Sequence, residues 1–395
     1  MNQKGFAPLI IIIIATLVIS AGVGGFLVLR EKKIPFSEKI EDVANPIEPT
    51  PSPVSPPAVQ VQTPPTPPAS KPSVANEQKR GSISSANCQP NDHPVFTASF
   101  TDIDKLARIS PMGGIMVGSQ SRTYVGMKKD ENGLLVSSPV YAPVDSKLVA
   151  IVYAWRGDKT DGVAEYRLDF QVSCEVTYSF DHIPQLSDKL SKLAPKIPAD
   201  NTYSIPNMSV PIKAGEQVGS TQGLDFFLFN RAKKVEHINP KRWLSEHNTA
   251  ADCPYDYFTN ELKNKYYSLF TSGGGLVPNI KTCRSASRDV VGTLAGAWFQ
   301  GDATDRQGAH LYIADDVDRV DMVRMLQNRD YDGSHPDDSL RDANPSKNPD
   351  QVKVGESVCY SDNRRFAYFQ VIDINTMKAS IASGTCPSVE PNSGY

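Results

Sequence analysis

His182 is the first residue to weigh for chemistry. It follows the aromatic run Tyr178-Ser179-Phe180 and stands directly after Asp181. A carboxylate beside an imidazole can fix its tautomer, as a general base requires, but such pairs are also common on surfaces. His182 therefore has a relic catalytic reading and a structural one. The remaining histidines are scattered. His237 and His247 flank Trp243, and His335 sits in the acidic run from Asp330 to Asp338. That run has oxygen ligands suited to Ca²⁺ but lacks the full EF-hand spacing and its distal Glu. A solvated loop is the default reading there, as it is for Asp315, Asp316, Asp318 and Asp321. No GxSxG, P-loop or GxGxxG pattern occurs, and Gly273-Gly274-Gly275 has no Lys-Ser/Thr after it. No Cys stands in a nucleophile motif. Apart from His182 as a relic, no residue is expected to be catalytic.

The six cysteines are Cys88, Cys174, Cys253, Cys283, Cys359 and Cys386, none in CxxC spacing. Zinc-ribbon and thioredoxin chemistry is therefore disfavoured. An even number beyond a candidate export segment fits disulfides in an oxidising compartment. Fifteen connectivities exist for six cysteines. Proximity in sequence suggests Cys253–Cys283 and Cys359–Cys386, leaving Cys88–Cys174; buried free thiols are the alternative. The formal charge of −3 gives no basic field, so nucleic acid is not an expected partner.

The elements that would position these residues begin with a membrane anchor. Residues 6–29 form an uncharged apolar run between Lys4 and Arg30-Glu31-Lys32-Lys33. Such a run is long enough to cross a hydrocarbon core of about 30 Å. Both flanks are basic, so charge does not orient it; the cysteines do, placing the C-terminal bulk outside. The expected protein is a single-pass membrane protein with residues 1–33 as an uncleaved anchor. Residues 34–86 are a stalk, with eleven prolines between Pro46 and Pro72. In polyproline II that stretch reaches on the order of 100 Å. Short β-type runs then mark a first unit, 87–239: 95–100, 148–155, 166–172, 176–180 and 226–229. A helix is predicted over 184–193, from Leu186, Leu190 and Leu193. The pattern suits a small β-sandwich or barrel. A second unit, 240–395, opens with an amphipathic helix carrying Phe258, Leu262, Tyr266, Leu269 and Phe270. Candidate strands follow at 292–299, 310–314, 366–372 and 378–382. The fold class is mainly β, with a small disulfide-bonded α+β or β domain at the C-terminus.

One family resemblance runs through the first unit. Tyr141-Ala142-Pro143-Val144, Phe180-Asp181-His182-Ile183, Val210 to Ser220 and Leu224 to Phe229 follow one another in the order of the LytM-type, or M23, peptidase domain of cell-wall hydrolases. The resemblance covers 109–231. It implies a zinc enzyme with a His and an Asp from an early motif, a His from a closing HxH, and assisting histidines. The early motif should lie between Pro111 and Met127, where there is no His and, through Tyr124, no carboxylate. The closing pair aligns with Leu224 and Phe226. Only His182 matches, at an assisting position. Zinc is therefore disfavoured and no cofactor is expected. The resemblance implies a non-catalytic envelope protein that binds peptidoglycan or docks a cell-wall hydrolase. Two alternatives stand beside it. One is an active zinc endopeptidase with relocated ligands that include His182. The other is a pilin-like surface subunit, since Gly5-Phe6 resembles a prepilin cleavage junction, with Ile10 where pilins carry Glu.

Overall fold

A computed structural model describes residues 88–113, 121–156, 163–194, 203–271, 282–305, 310–315, 323–328, 340–362 and 364–387. The apolar run 6–29, the Pro-rich stretch, Gly273-Gly274-Gly275 and the acidic run around His335 lie outside them. Among the described residues no helix is long and apolar enough to cross a membrane.

Among the described residues eleven strands come first: β1 (Leu106–Ser110), β2 (Thr123–Met127), β3 (Ser138–Tyr141), β4 (Ser146–Arg156), β5 (Val163–Gln171), β6 (Val176–Ile183), β7 (Gln185–Leu186), β8 (Tyr203–Ile205), β9 (Val210–Ile212), β10 (Gln217–Thr221) and β11 (Gly223–Asn230). One helical turn, α1 (Asp188–Ser191), follows β7. Two more helices, α2 (Glu246–Thr249) and α3 (Asn260–Tyr267), follow β11. The main sheet has the antiparallel order β1-β2-β11-β6-β5-β4-β8, with β9 also on β4; β3-β10-β7 form a second, smaller sheet.

β11 lies between β2 and β6 and is covered on both faces, which explains its composition. A strand covered on both faces reads as a continuous apolar run rather than an alternation. From Leu224 to Asn230 every residue is buried. One face sends Phe226 into an aromatic core, with ring centroids 4.8 Å from Phe180 and 5.2 Å from Phe100. Phe170 stacks on Tyr178 in the same core at 4.6 Å. Such pairs add about 0.5–1.5 kcal/mol each beyond the area they bury. On the other face, Phe227 and Phe229 meet the His247 ring of α2.

The core does not close at residue 239, where the sequence suggested a division. Tyr255, Phe258, Tyr266 and Phe270 are buried in the same cluster as Phe100 and Phe226. Backbone bonds join the two stretches: the Phe96 amide donates to Tyr257, and the Ile109 amide to Leu269. Two local readings are corrected. Residues 95–100 hold one isolated bridge, Phe96–Phe258, rather than a strand, and the Phe96, Thr97 and Ala98 amides donate to the Tyr257 and Pro143 carbonyls. Of the predicted helix 184–193 only α1 is helical; Gln185 and Leu186 pair instead with Ser220 and Gly219 of β10.

Seven further strands build the C-terminal part: β12 (Gly296–Phe299), β13 (His310–Asp315), β14 (Val323–Asn328), β15 (Leu340–Asp342), β16 (Ser357–Ser361), β17 (Arg365–Val371) and β18 (Met377–Ser383). They form a four-stranded and a three-stranded antiparallel sheet, each in sequence order. β17 alternates, with Ala367, Phe369 and Val371 turned to a core shared with Leu294, Ile313 and Tyr360. All six cysteines are paired, Cys88–Cys174, Cys253–Cys283 and Cys359–Cys386. The protein is mainly β, with three disulfides.

Candidate functional site

The site forms where β6 is irregular. Tyr166 of β5 pairs with Ile183, and Leu168 pairs with Phe180, so Asp181 and His182 together stand opposite Arg167 alone. This is a β-bulge, a feature that re-aims side chains and is common beside functional sites. His182 adopts φ +65°, in the left-handed region that non-glycine residues seldom visit. The bulge is what allows two consecutive residues to address one point rather than opposite faces.

That point is Asp225. The register of β11 sets Asp225 directly across from Asp181 on one side and Tyr124 of β2 on the other. Asp225 is 2% exposed. Like charges opposite one another on neighbouring strands destabilise a sheet, and a carboxylate so deeply buried needs compensation. Two cations supply it. Arg122 places Nε 3.2 Å from Asp225 Oδ2, and His182 places Nε2 3.5 Å from the same oxygen. Arg122 also lies over the Tyr124 and Phe227 rings and donates its Nε–H to the Tyr124 hydroxyl at 2.9 Å. On its far side His182 Nδ1 is 2.7 Å from Glu165 Oε2.

The Asp225 carboxylate raises the His182 pKa from 6.5 to about 9; Asp181 and Glu165 add to the effect and burial opposes it. A folded value above the unfolded one stabilises the protein fully below pH 6.5, and the contribution is lost as pH rises through about 9. The imidazole is 37% exposed, so solvent screening keeps the effect modest. The stability gap between wild type and His182→Ala should therefore narrow between pH 6 and pH 10. Denaturant midpoints at several pH values measure it; a gap that widens with pH would contradict the ion-pair geometry.

The structure corrects which closing-strand residues face this histidine. Leu224 and Phe226, the positions aligned with the zinc-holding pair, are 2% and 0% exposed and face the core. Asp225 between them faces His182. His182 is thus in contact with carboxylates, and Arg122 shares Asp225 with it. A lone Asp inside Leu-Asp-Phe-Phe-Leu-Phe was the signal for Asp225, since an unpaired charge is not tolerated in a buried strand. Nothing local marked Arg122 or Glu165. Two other histidines have packing partners: His237 stacks on Trp243 at 4.1 Å and meets the Asn248 carbonyl, and His247 meets Ser121. Asp315 accepts from Arg284 and Arg288.

A polar hollow of about 540 Å³ opens near Gln185, three residues beyond His182; Ser138, Gln185, Ser187, Gln217 and Ser220 help line it. It lies along the small sheet, and Asp188 is the one charged group in its lining.

No family model, curated protein or solved structure matches the chain.

Proposed function

We propose that this is a membrane-anchored, extracytoplasmic protein of the cell envelope, whose LytM-like β domain binds cell-wall material without cutting it. The observation that carries the non-catalytic reading is the guanidinium of Arg122 against Asp225. Hydrolysis by a zinc enzyme needs a Lewis-acid ion with several protein ligands and an open water position. Here a fixed side-chain cation neutralises the Asp225 carboxylate that His182 Nε2 faces, and the two closing positions are filled by Leu224 and Phe226 in the core. The residues present do not fit the zinc centre that the resemblance implies.

Binding is supported by the chemistry of the neighbouring hollow. Its serine hydroxyls and glutamine amides suit a ligand rich in amides or hydroxyls and poor in charge, as wall peptides and glycans are. The anchor at 6–29 and the Pro-rich stretch suit a domain held at a distance from the bilayer.

The full chain in detergent, incubated with purified cell-wall sacculi, tests both halves. The expected result is co-sedimentation with the sacculi and no release of soluble fragments, with or without added Zn²⁺. Metal-dependent release would overturn the non-catalytic reading. Failure to sediment would overturn wall binding and turn the search toward a partner hydrolase.

A further inference from the structure

We infer that Asp181, His182 and Asp225 form a latent divalent-cation site whose positive charge Arg122 supplies in place of a metal. The inference rests on the non-catalytic reading above and adds what the cluster would bind if that arginine were absent. Ligand atoms of the three residues lie within 4.8 Å of one another, and among the described residues no other such group of His, Cys, Asp or Glu occurs. The donor set, one imidazole and two carboxylates, suits Zn²⁺, Co²⁺ or Mn²⁺.

Two features go beyond mere proximity. The first lies behind the histidine. Nδ1 of His182 meets Glu165 at 2.7 Å, so Nε2 is the nitrogen turned toward Asp225. Metal-bound histidines are held this way, with the second ring nitrogen on a carboxylate that fixes the tautomer. The second is Asp225 Oδ2, which is buried and accepts no hydrogen bond of ordinary length, His182 Nε2 standing 3.5 Å from it. The nearest N–H, Nε of Arg122 at 3.2 Å, is directed to the Tyr124 hydroxyl instead. Asp225 thus has its charge balanced while its oxygen stays under-coordinated. A divalent ion would satisfy both needs; a guanidinium satisfies one. An arginine cannot lose its charge in a protein, so it opposes a second cation at every working pH.

The test uses the tag-free full chain, purified without chelator, as wild type, Arg122→Lys and Arg122→Met. Co²⁺ absorption and Zn²⁺ calorimetry read the binding. Arg122→Met should take up about one ion per chain, with Kd at least tenfold lower than wild type. Arg122→Lys keeps the charge and should behave as wild type. Adding His182→Ala to Arg122→Met should abolish the site, and adding Glu165→Gln should weaken it about 10–100-fold. If Arg122→Met loses its native near-ultraviolet spectrum, Arg122→Gln takes its place. An Arg122 variant that folds and binds no more tightly than wild type overturns the inference. Equal, tight binding by wild type also overturns it. If that binding comes with release of wall fragments, the non-catalytic reading falls too; without release, it stands.

Discussion

Phe226→Ala or Phe226→His should lower stability by about 3–5 kcal/mol, and the histidine variant should gain no zinc. In sequence, histidines at Leu224 and Phe226 would rebuild the closing pair of a zinc peptidase. In the fold, Phe226 is fully buried, and its ring meets Phe180, Phe100 and Tyr255. An imidazole there would leave a cavity and bury a polar group without a partner, both unfavourable. Against a typical total of about 5–15 kcal/mol the loss is large. Chemical denaturation at unchanged slope measures it, and elemental analysis reads the metal. A histidine variant with a native midpoint and one zinc per chain would show that Phe226 faces the site after all.

Among the three crosslinks, loss of Cys88–Cys174 should cost the most. It spans 86 residues, against 30 for Cys253–Cys283 and 27 for Cys359–Cys386. Loop-closure entropy grows with the logarithm of the span, which gives about 4–5 kcal/mol for the long loop and about 3.5 for the short ones. The long crosslink also fastens the segment around Cys88 to the turn before β6. Beside it the Asn91 carbonyl accepts from the Ser173 hydroxyl at 2.6 Å, and the Cys174 amide donates to Gln89 at 3.1 Å. Paired Cys→Ser variants at each crosslink, compared by denaturant midpoint, test the ranking. A smaller loss for Cys88/Cys174 than for either short loop would contradict it.

Strands of the main sheet and of the C-terminal three-stranded sheet were legible because their signal is local. Val176 to Phe180 and Phe366 to Ile372 combine β-branched or aromatic residues with turn residues at their ends, and both became strands within a residue or a few. The helix expected at 184–193 failed for a reason outside the segment. Leu186, Leu190 and Leu193 have helical spacing, but β10 offers Gln185 and Leu186 strand partners, and Leu193 is 40% exposed. The site was half legible. His182 stood out by type. Its partners come from β5 and β11, with Arg122 just before β2 completing the group, and the bulge that turns Asp181 and His182 together exists only against Arg167 of β5. Pairings between strands tens of residues apart leave no trace in either strand alone. Asp225 was in plain view, but alignment drew attention to the apolar residues on either side of it.

The interlocking of Phe96 with Phe258 and of Ile109 with Phe270 sets an order of events during synthesis. Domains generally fold as units, the N-terminal one first as the chain emerges. This one cannot finish at its last sheet strand. When Asn230 has been made, the rings that cover Phe100 and Phe226 from Tyr255 to Phe270 do not yet exist. A nascent chain at that stage carries an open aromatic face, a handle for whatever escorts it until Ala286, the last residue of that cluster, is available. A gene truncated at codon 239 would make that transient state permanent and yield an aggregating product rather than a minimal domain.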